Sequence, residues 1–414
     1  MSQTPTAEST ADPEPTPAPQ VGDTVTVEVG NPVAGGQCIA RLDGRVIFVR
    51  DAIPGEVVKV VVTGSGKRGA FLRGDVVEVL SASTHRVDPP CSLAQVCGGC
   101  DWQHVELAFQ RDLKSQVIAD ALRRTGGIDE IAGQPLTEAT DVEALDDGDG
   151  LHWRTRMRYA IDEQGTVGLR AARSHQIIPA ADCPLAVTEI SAAVPATVNE
   201  TGKGHDALIA AYSNTGELAL VGVHADSVVT QRVRERDFTV AATGFWQVHP
   251  QAPETLVATV LDFASPQHGE KILDLYGGVG LFAAFLADAV GVTGRVDAVE
   301  GDKTASTLSR KNLADLAWVH HHRAPVEKWL AAGHRSHADV VVVDPPRTGA
   351  GRDVVTAITR RKPRAIVYVA CDPVSLARDT KFLAELGYGF TRLRALDLFP
   401  MTKHVESVAL FERR

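Results

Sequence analysis

Three residues near the C-terminus carry side chains suited to covalent or proton chemistry, and each stands where an apolar run is interrupted. Cys371 ends the run AIVYVAC and is followed by Asp372-Pro373. A thiol just before a helix N-terminus has its thiolate favoured by the helix dipole, which makes Cys371 a candidate nucleophile, although a lone cysteine at a strand end is more often simply packed. Asp344 closes DVVVVDPP, where two prolines fix a rigid extended turn and aim the carboxyl into the crevice beyond the strand. Arg347 follows, where an amino-group methyltransferase would carry an aromatic to stack its target base. Glu406 lies in FPMTKHVES. If a strand starts there, His404 and Glu406 share a face, and Glu406 is either available as a base or a solvated edge acid.

A second constellation is built from thiols. Cys91, Cys97 and Cys100 fall within ten residues around Gly98-Gly99, and Cys183-Pro184 is the best candidate for a fourth. Zinc sites usually show two paired knuckles, and only one such pair is present. Four soft thiolates suit a [4Fe–4S] cluster better than zinc, with unligated buried thiols as the bland alternative.

The element that must position the first group is KILDLYGGVG at 271–280, a short buried strand running into a glycine turn that opens a helix at Leu281. The glycines admit a ligand close to the backbone, and the helix N-terminus offers unpaired N–H groups. Gly278-Val279-Gly280 lacks the third glycine of a dinucleotide site. Asp274 before the turn and Glu300 at the end of the next strand suit S-adenosyl-L-methionine instead, Glu300 accepting from ribose hydroxyls. From about residue 241, strands and helices alternate through RVDAVE, a helix over 302–316, DVVVVDPP, a helix after Gly351, AIVYVAC, a helix over 376–386 and two closing strands. This predicts an α/β fold, a Rossmann-like doubly wound sheet with ligands at the carboxyl ends of its strands.

Upstream, residues 1–20 are rich in Pro, Thr, Ala and Glu and predict a disordered tail. The Val-rich runs over 21–82 predict a small closed β-barrel of the oligonucleotide-binding kind, with Lys67, Arg68 and Arg73 suited to a basic face. Residues 83–240 make a central α+β domain with the cysteines, a helix over 104–124, and an acidic loop over 129–149. There LHWRTRMRYAI alternates, setting Arg154, Arg156 and Arg158 on one strand face as a phosphate stripe or a solvated outer face. The 414 residues carry a net charge of −10, which argues mildly against nucleic-acid binding, but bases cluster at these arginines and at Arg360, Arg361, Lys362 and Arg364. No apolar run is long enough to span a bilayer and no secretory signal is visible, so with its cysteines the chain reads as cytoplasmic.

Taken together, FWQV, LDLYGGVG, DPPRTG, ACDPVSLARD and FPMTKHVE, in this order, resemble the RNA uracil-5-methyltransferase family. The barrel segment is similar to that family's TRAM domain, and the cysteine pattern to the [4Fe–4S] ligands of its ribosomal-RNA branch. The resemblance implies that Gln247, Tyr276, Glu300 and Asp344 bind the methyl donor, that Cys371 is the nucleophile and Glu406 the base, and that the 241–414 segment is a class I methyltransferase domain. It implies a monomer acting on RNA, with 23S ribosomal RNA favoured over transfer RNA. Leu281, Gly277, Asp372 and Met401 depart from residues frequent in the family; Leu281 removes a donor contact and the others tune substrate choice. The rival readings are a catalytically silent RNA-binding or redox-sensing protein and an exocyclic-amine methyltransferase.

Overall fold

Alternation of Val, Ile and Ala with polar residues drives the N-terminal part into five strands, Thr24–Pro32, Cys38–Leu42, Arg45–Arg50, Val57–Ser65 and Phe71–Ser81. In the computed structural model, which describes residues 19–180, 182–201, 207–223, 226–333 and 337–414, these strands close into a barrel. The first pairs antiparallel with the fourth, and the third runs parallel to the fifth. The expected tail over 1–20 lies almost wholly outside the described residues. The barrel encloses its own core around Val27, Ile47, Val58, Val60 and Leu72. Described residues up to Gly30 together with Gln37–Ser83 make one compact unit, and Asn31–Gly36 with Thr84–Arg414 make another.

Within the second unit an eight-stranded sheet sets the architecture. Its spatial order is Val319–Arg323, Arg295–Glu300, Lys271–Leu275, Val340–Val343, Ala365–Ala370, Glu406–Arg413, Tyr388–Asp397 and Val142–Ala144. The first five strands run parallel, in register Ile272↔Val296, Ile272↔Val340 and Val340↔Ala365. Their central members are near-continuous Val, Ile and Leu because both faces are covered. One face packs against helices Ala252–Ala264 and Leu281–Val290, the other against Gly351–Thr359 and Pro373–Glu385.

Two strands escape the periodicity. VHHHR reads as polar, yet Val319–Arg323 pairs with Arg295–Glu300, and His322 reaches the buried Asp297 at 2.6 Å beside Arg295. The acidic segment expected as a solvated loop instead supplies Val142–Ala144, which adds to the sheet edge beside Ala395–Asp397 while Glu143 pairs with Arg394. No helix among the described residues is long and apolar enough to cross a membrane.

The cysteine-bearing part contains helix Leu107–Ala121 and a five-stranded antiparallel sheet that includes Arg156–Ile161. The expected arginine stripe does not form as one face. Regular pairing starts only at Arg156, and Arg154 makes an isolated bridge to Ala186. Part of the second basic cluster is also spoken for. Arg361 is buried, donating to the Ala357 carbonyl and lying over Trp329, while Arg364 is paired with Glu270. Both stand at the amino ends of the parallel strands, where they brace the sheet.

Candidate active site

The glycine turn after Lys271–Leu275 is held from both sides. Asp274, fully buried, accepts from the Ala283 N–H at the start of the next helix at 2.9 Å. Glu300 accepts from the Gly278 N–H at 2.9 Å and the Asp302 N–H at 2.6 Å. Gly280 has φ +95°, and a Cβ there would lie 2.8 Å from Leu313 Cδ1 and 2.9 Å from Ser309 Oγ, so glycine is required. Tyr276 is left-handed at φ +62° and donates through Oη to Glu327 at 2.9 Å. Leu281 packs into the core.

Asp344, Cys371 and Glu406 meet at the same edge of the sheet because of strand direction. Asp344 and Cys371 follow the carboxyl ends of two neighbouring parallel strands. Glu406–Arg413 is antiparallel to Ala365–Ala370, so its start falls at that edge too. Ala370 pairs with Ser407, which puts Cys371 and Glu406 one step further along the same ladder. One cavity of about 820 Å³ is lined by Gln247, Tyr276, Glu300, Asp344, Cys371 and Glu406. The six residues singled out from the sequence for donor binding and chemistry therefore share one space.

The electrostatics of this cavity differ from the expectation at Cys371. Burial, with Glu406 and Asp344 close by, pushes its thiol up to about 12, while Arg347 opposes the rise. The local helix start is outweighed by burial first and then by carboxyls that other strands deliver. Burial, with Asp274 nearby, raises Asp344 to about 7, and burial likewise raises Asp274 to about 7. Glu406 is buried at 4 % exposure and pushed well above the usual carboxylate range, so it is not a solvated edge acid. His404 is driven down to about 4 by burial and by Arg347, whose Nη2 lies 3.3 Å from its Nε2.

The loop carrying Arg347 is shaped by a buried network that sequence reading missed. Asp379 accepts from the Tyr368 hydroxyl at 2.7 Å and from the Ala350 and Gly351 N–H groups, and Arg378 donates to the Thr348 carbonyl. Asp372 caps its helix by accepting from the Ser375 N–H at 2.7 Å, and Met401 is buried in a core cluster with Cys183. Both have structural duties in this fold. Two side chains at the cavity were not assigned to it from sequence. Arg156 lines it with a buried Nη1 that finds no partner in the protein, and Phe245 stands 70 % exposed at its wall.

Cys91, Cys97, Cys100 and Cys183 line a second cavity of about 760 Å³. Among the described residues no three His, Cys, Asp or Glu side chains are placed to hold a single metal ion. Burial raises the Cys97, Cys100 and Cys183 thiols, Cys100 to about 12. The arginines are divided between the two spaces: Arg154 borders both, Arg156 only the first and Arg158 only the second. Main-chain bonds connect the walls as well. Arg154 N–H donates to the Leu185 carbonyl at 2.7 Å, and Thr155 donates to the Val248 carbonyl, next to Gln247, at 2.9 Å.

Comparison with known proteins agrees with this geometry. The model of the tRNA (uracil-5-)-methyltransferase family matches residues 333–414, and the TRAM domain model matches 19–77. A protein named as an uncharacterized RNA methyltransferase of Streptomyces coelicolor is 39 % identical over 97 % of this chain and 95 % of its own. The 23S rRNA (uracil(1939)-C(5))-methyltransferase of a Shewanella strain is 30 % identical, over 91 % of this chain and 93 % of its own. The chain belongs to the RNA uracil-5-methyltransferase family. Its fold is shared by the Pyrococcus abyssi tRNA (uracil-54, C5)-methyltransferase, solved in complex with S-adenosyl-L-homocysteine. That structure has a TM-score of 0.68 at 22 % identity, covering 93 % of this chain and all of that one.

Proposed function

We propose that this enzyme methylates carbon 5 of a uridine in ribosomal RNA, using S-adenosyl-L-methionine and a covalent bond from Cys371 to carbon 6. The observation that carries the reading is the convergence of Cys371 and Glu406 on one cavity with Gln247, Tyr276, Glu300 and Asp344. The donor supplies a methyl group on a cationic sulfur. Asp344 lines the cavity, and its carboxylate, formed as pH rises through about 7, is the group that would face the cationic sulfur. Gln247, Tyr276, Glu300 and Asp344 would hold the donor.

Carbon 5 of uracil is too weak a nucleophile to take a methyl group unaided, and carbon 6 is the far end of a conjugated enone. Cys371, as thiolate, forms a bond to carbon 6, and the electron pair of the ring double bond moves toward O4. Arg156, whose Nη1 has no partner among the described residues, is a cation available to that oxygen charge. Carbon 5 then takes the methyl group as the bond to the donor sulfur breaks. Glu406 removes the carbon 5 proton, and the bond from carbon 6 to Cys371 breaks, restoring the double bond and the thiolate. Burial holds the thiol high, so Cys371 loses its proton to solvent before the uridine closes the cavity, with Arg347 supporting the anion. The target uridine must leave its stack to enter, and the exposed Phe245 offers a ring for it or a neighbour to stack on.

The four cysteines line one cavity, and four soft thiolates are the donor set a [4Fe–4S] cluster would take. The reaction is redox-neutral, so the proposed role of the cluster is to order the surrounding loops. The ribosomal-RNA assignment rests on the likeness to the Shewanella enzyme, which is named for that substrate.

Two variants test the chemistry. Cys371→Ala should abolish turnover. Glu406→Gln should accumulate methylated RNA joined to protein and stable to denaturation, read on a denaturing gel with labelled methyl groups. Normal turnover by Glu406→Gln without trapped RNA would refute the base assignment. Nucleoside mass spectrometry of separated ribosomal and transfer RNA from a deletion strain identifies the substrate. Loss of 5-methyluridine from transfer RNA alone would overturn that assignment.

A further inference from the structure

Glu406 has to meet a carbon-bound proton, so its placement must be held from outside its own strand. The residues before it, Met401 to Val405, are not part of the sheet, and Met401 is left-handed at φ +65°. This segment is gripped by the loop that follows Cys100. The Asp101 and Trp102 N–H groups both donate to the Met401 carbonyl, at 3.2 and 3.1 Å. The Asp101 carboxylate accepts from the Lys403 N–H at 3.2 Å and from Lys403 Nζ at 3.2 Å. Gln110, fully buried, accepts from the Met401 N–H at 2.8 Å while donating to the Trp102 carbonyl at 3.1 Å.

We propose that Asp101 is a positioning residue for Glu406, clamping the Met401–Lys403 turn through its main chain and side chain and thereby making removal of the carbon 5 proton depend on the order of the Cys97–Cys100 loop. The proposal rests on the covalent-adduct reading above. Asp101 touches neither the donor cavity nor the cysteine cavity. It bridges the segment that holds the thiols and the segment that leads to the base. A base displaced by about 1 Å loses on the order of a hundredfold in rate. The loss should fall on the step that Glu406 performs and leave thiolate addition and methyl transfer in place. After those two steps, Cys371 is still bonded to carbon 6 of a methylated ring that has kept its carbon 5 proton.

The decisive variant is Asp101→Ala in the full-length protein, with S-adenosyl-L-methionine and ribosomal RNA from a strain lacking the enzyme. Turnover should fall roughly ten- to a hundredfold, and denaturation-resistant methylated adduct should accumulate as in Glu406→Gln. If Glu406→Gln traps adduct and Asp101→Ala is slow without trapping any, or turns over normally, the proposal is wrong. If Glu406→Gln itself traps nothing, it is the adduct reading that fails. Deuterium uptake measured on the unmutated protein keeps the test independent of folding of the variant. Chelation of iron should raise uptake in the peptide spanning 399–406, and unchanged uptake in protein shown to have lost its iron would overturn the dependence on the cysteine loop.

Discussion

Cys371, Asp344, Glu406 and Arg347 form a charge set whose members control one another. Two carboxyls and a thiol share a partly dry cavity, so each resists ionising beside the others, and Arg347 is the cation that both Cys371 and Glu406 feel. The carboxyls and thiol must be deprotonated for the reaction, and all three titrate above their ordinary range. kcat/KM should therefore rise with pH through about 7, where Asp344 titrates, and go on rising above it toward the range of the raised thiol. Arg347→Gln should move that rise upward by about one pH unit and lower kcat/KM about tenfold at neutral pH. A pH–rate profile checks both, and a profile falling across this range would exclude the assignment. The linked stability has the opposite sign. A carboxyl with a raised folded pKa favours the folded state at low pH, and that advantage is lost as pH rises from the ordinary carboxylate range through about 7 for Asp274 and Asp344.

These shifts mark the limit of reading along the chain. That Cys371 and Glu406 stand at strand ends was visible in the sequence. That the thiol is pushed up was not, because its burial is set by the whole fold, and Asp344 and Glu406 lie 27 and 35 residues away in sequence.

Among the elements, the closing antiparallel pair is the one that delivers the base, and it depends on an ion pair buried beneath it. Lys114, from helix Leu107–Ala121, reaches Asp397 at 2.5 Å with 0 % and 2 % of the two side chains exposed, and donates also to the Phe399 carbonyl. Lys114→Met would leave the Asp397 carboxylate buried alone, at a cost of about 3–5 kcal/mol. Lys114→Met with Asp397→Leu should recover most of that loss, since a well-packed apolar pair can replace a buried ion pair. Denaturant midpoints at unchanged slope measure both, and equal destabilisation by single and double variants would mean that packing, not the charge pair, fixes the helix there. The apolar period of the helix was legible in the sequence, but the burial of Lys114 was not. Its partner lies 283 residues further on, and nothing local signals a pairing of that reach. Val142–Ala144 was hidden in the same way: three residues in an acidic stretch carry no period, and only an existing sheet edge makes them a strand.

At the scale of the whole molecule, a net charge of −10 must coexist with an RNA substrate, so basic surface has to be placed locally. The sequence suggested three basic places, and two of them are partly engaged within the fold. Arg361 and Arg364 serve packing and pairing, and the arginines near 156 divide between two cavities. The barrel retains an exposed basic surface. Lys67 lies on a tight turn, and Arg73 stacks over Phe71 at 4.9 Å on a strand whose alternate side chains fill the barrel core. The Arg68 side chain lies outside the described residues. Because the barrel has its own core, a surface change there should leave the donor cavity untouched. Arg73→Ala should weaken RNA binding across all sequences and reduce the slope of log affinity against log salt by about one, while calorimetric donor binding stays constant. A variant whose salt slope is unchanged, or whose donor binding falls with its RNA binding, would move the phosphate contacts off the barrel and back toward the cavity walls.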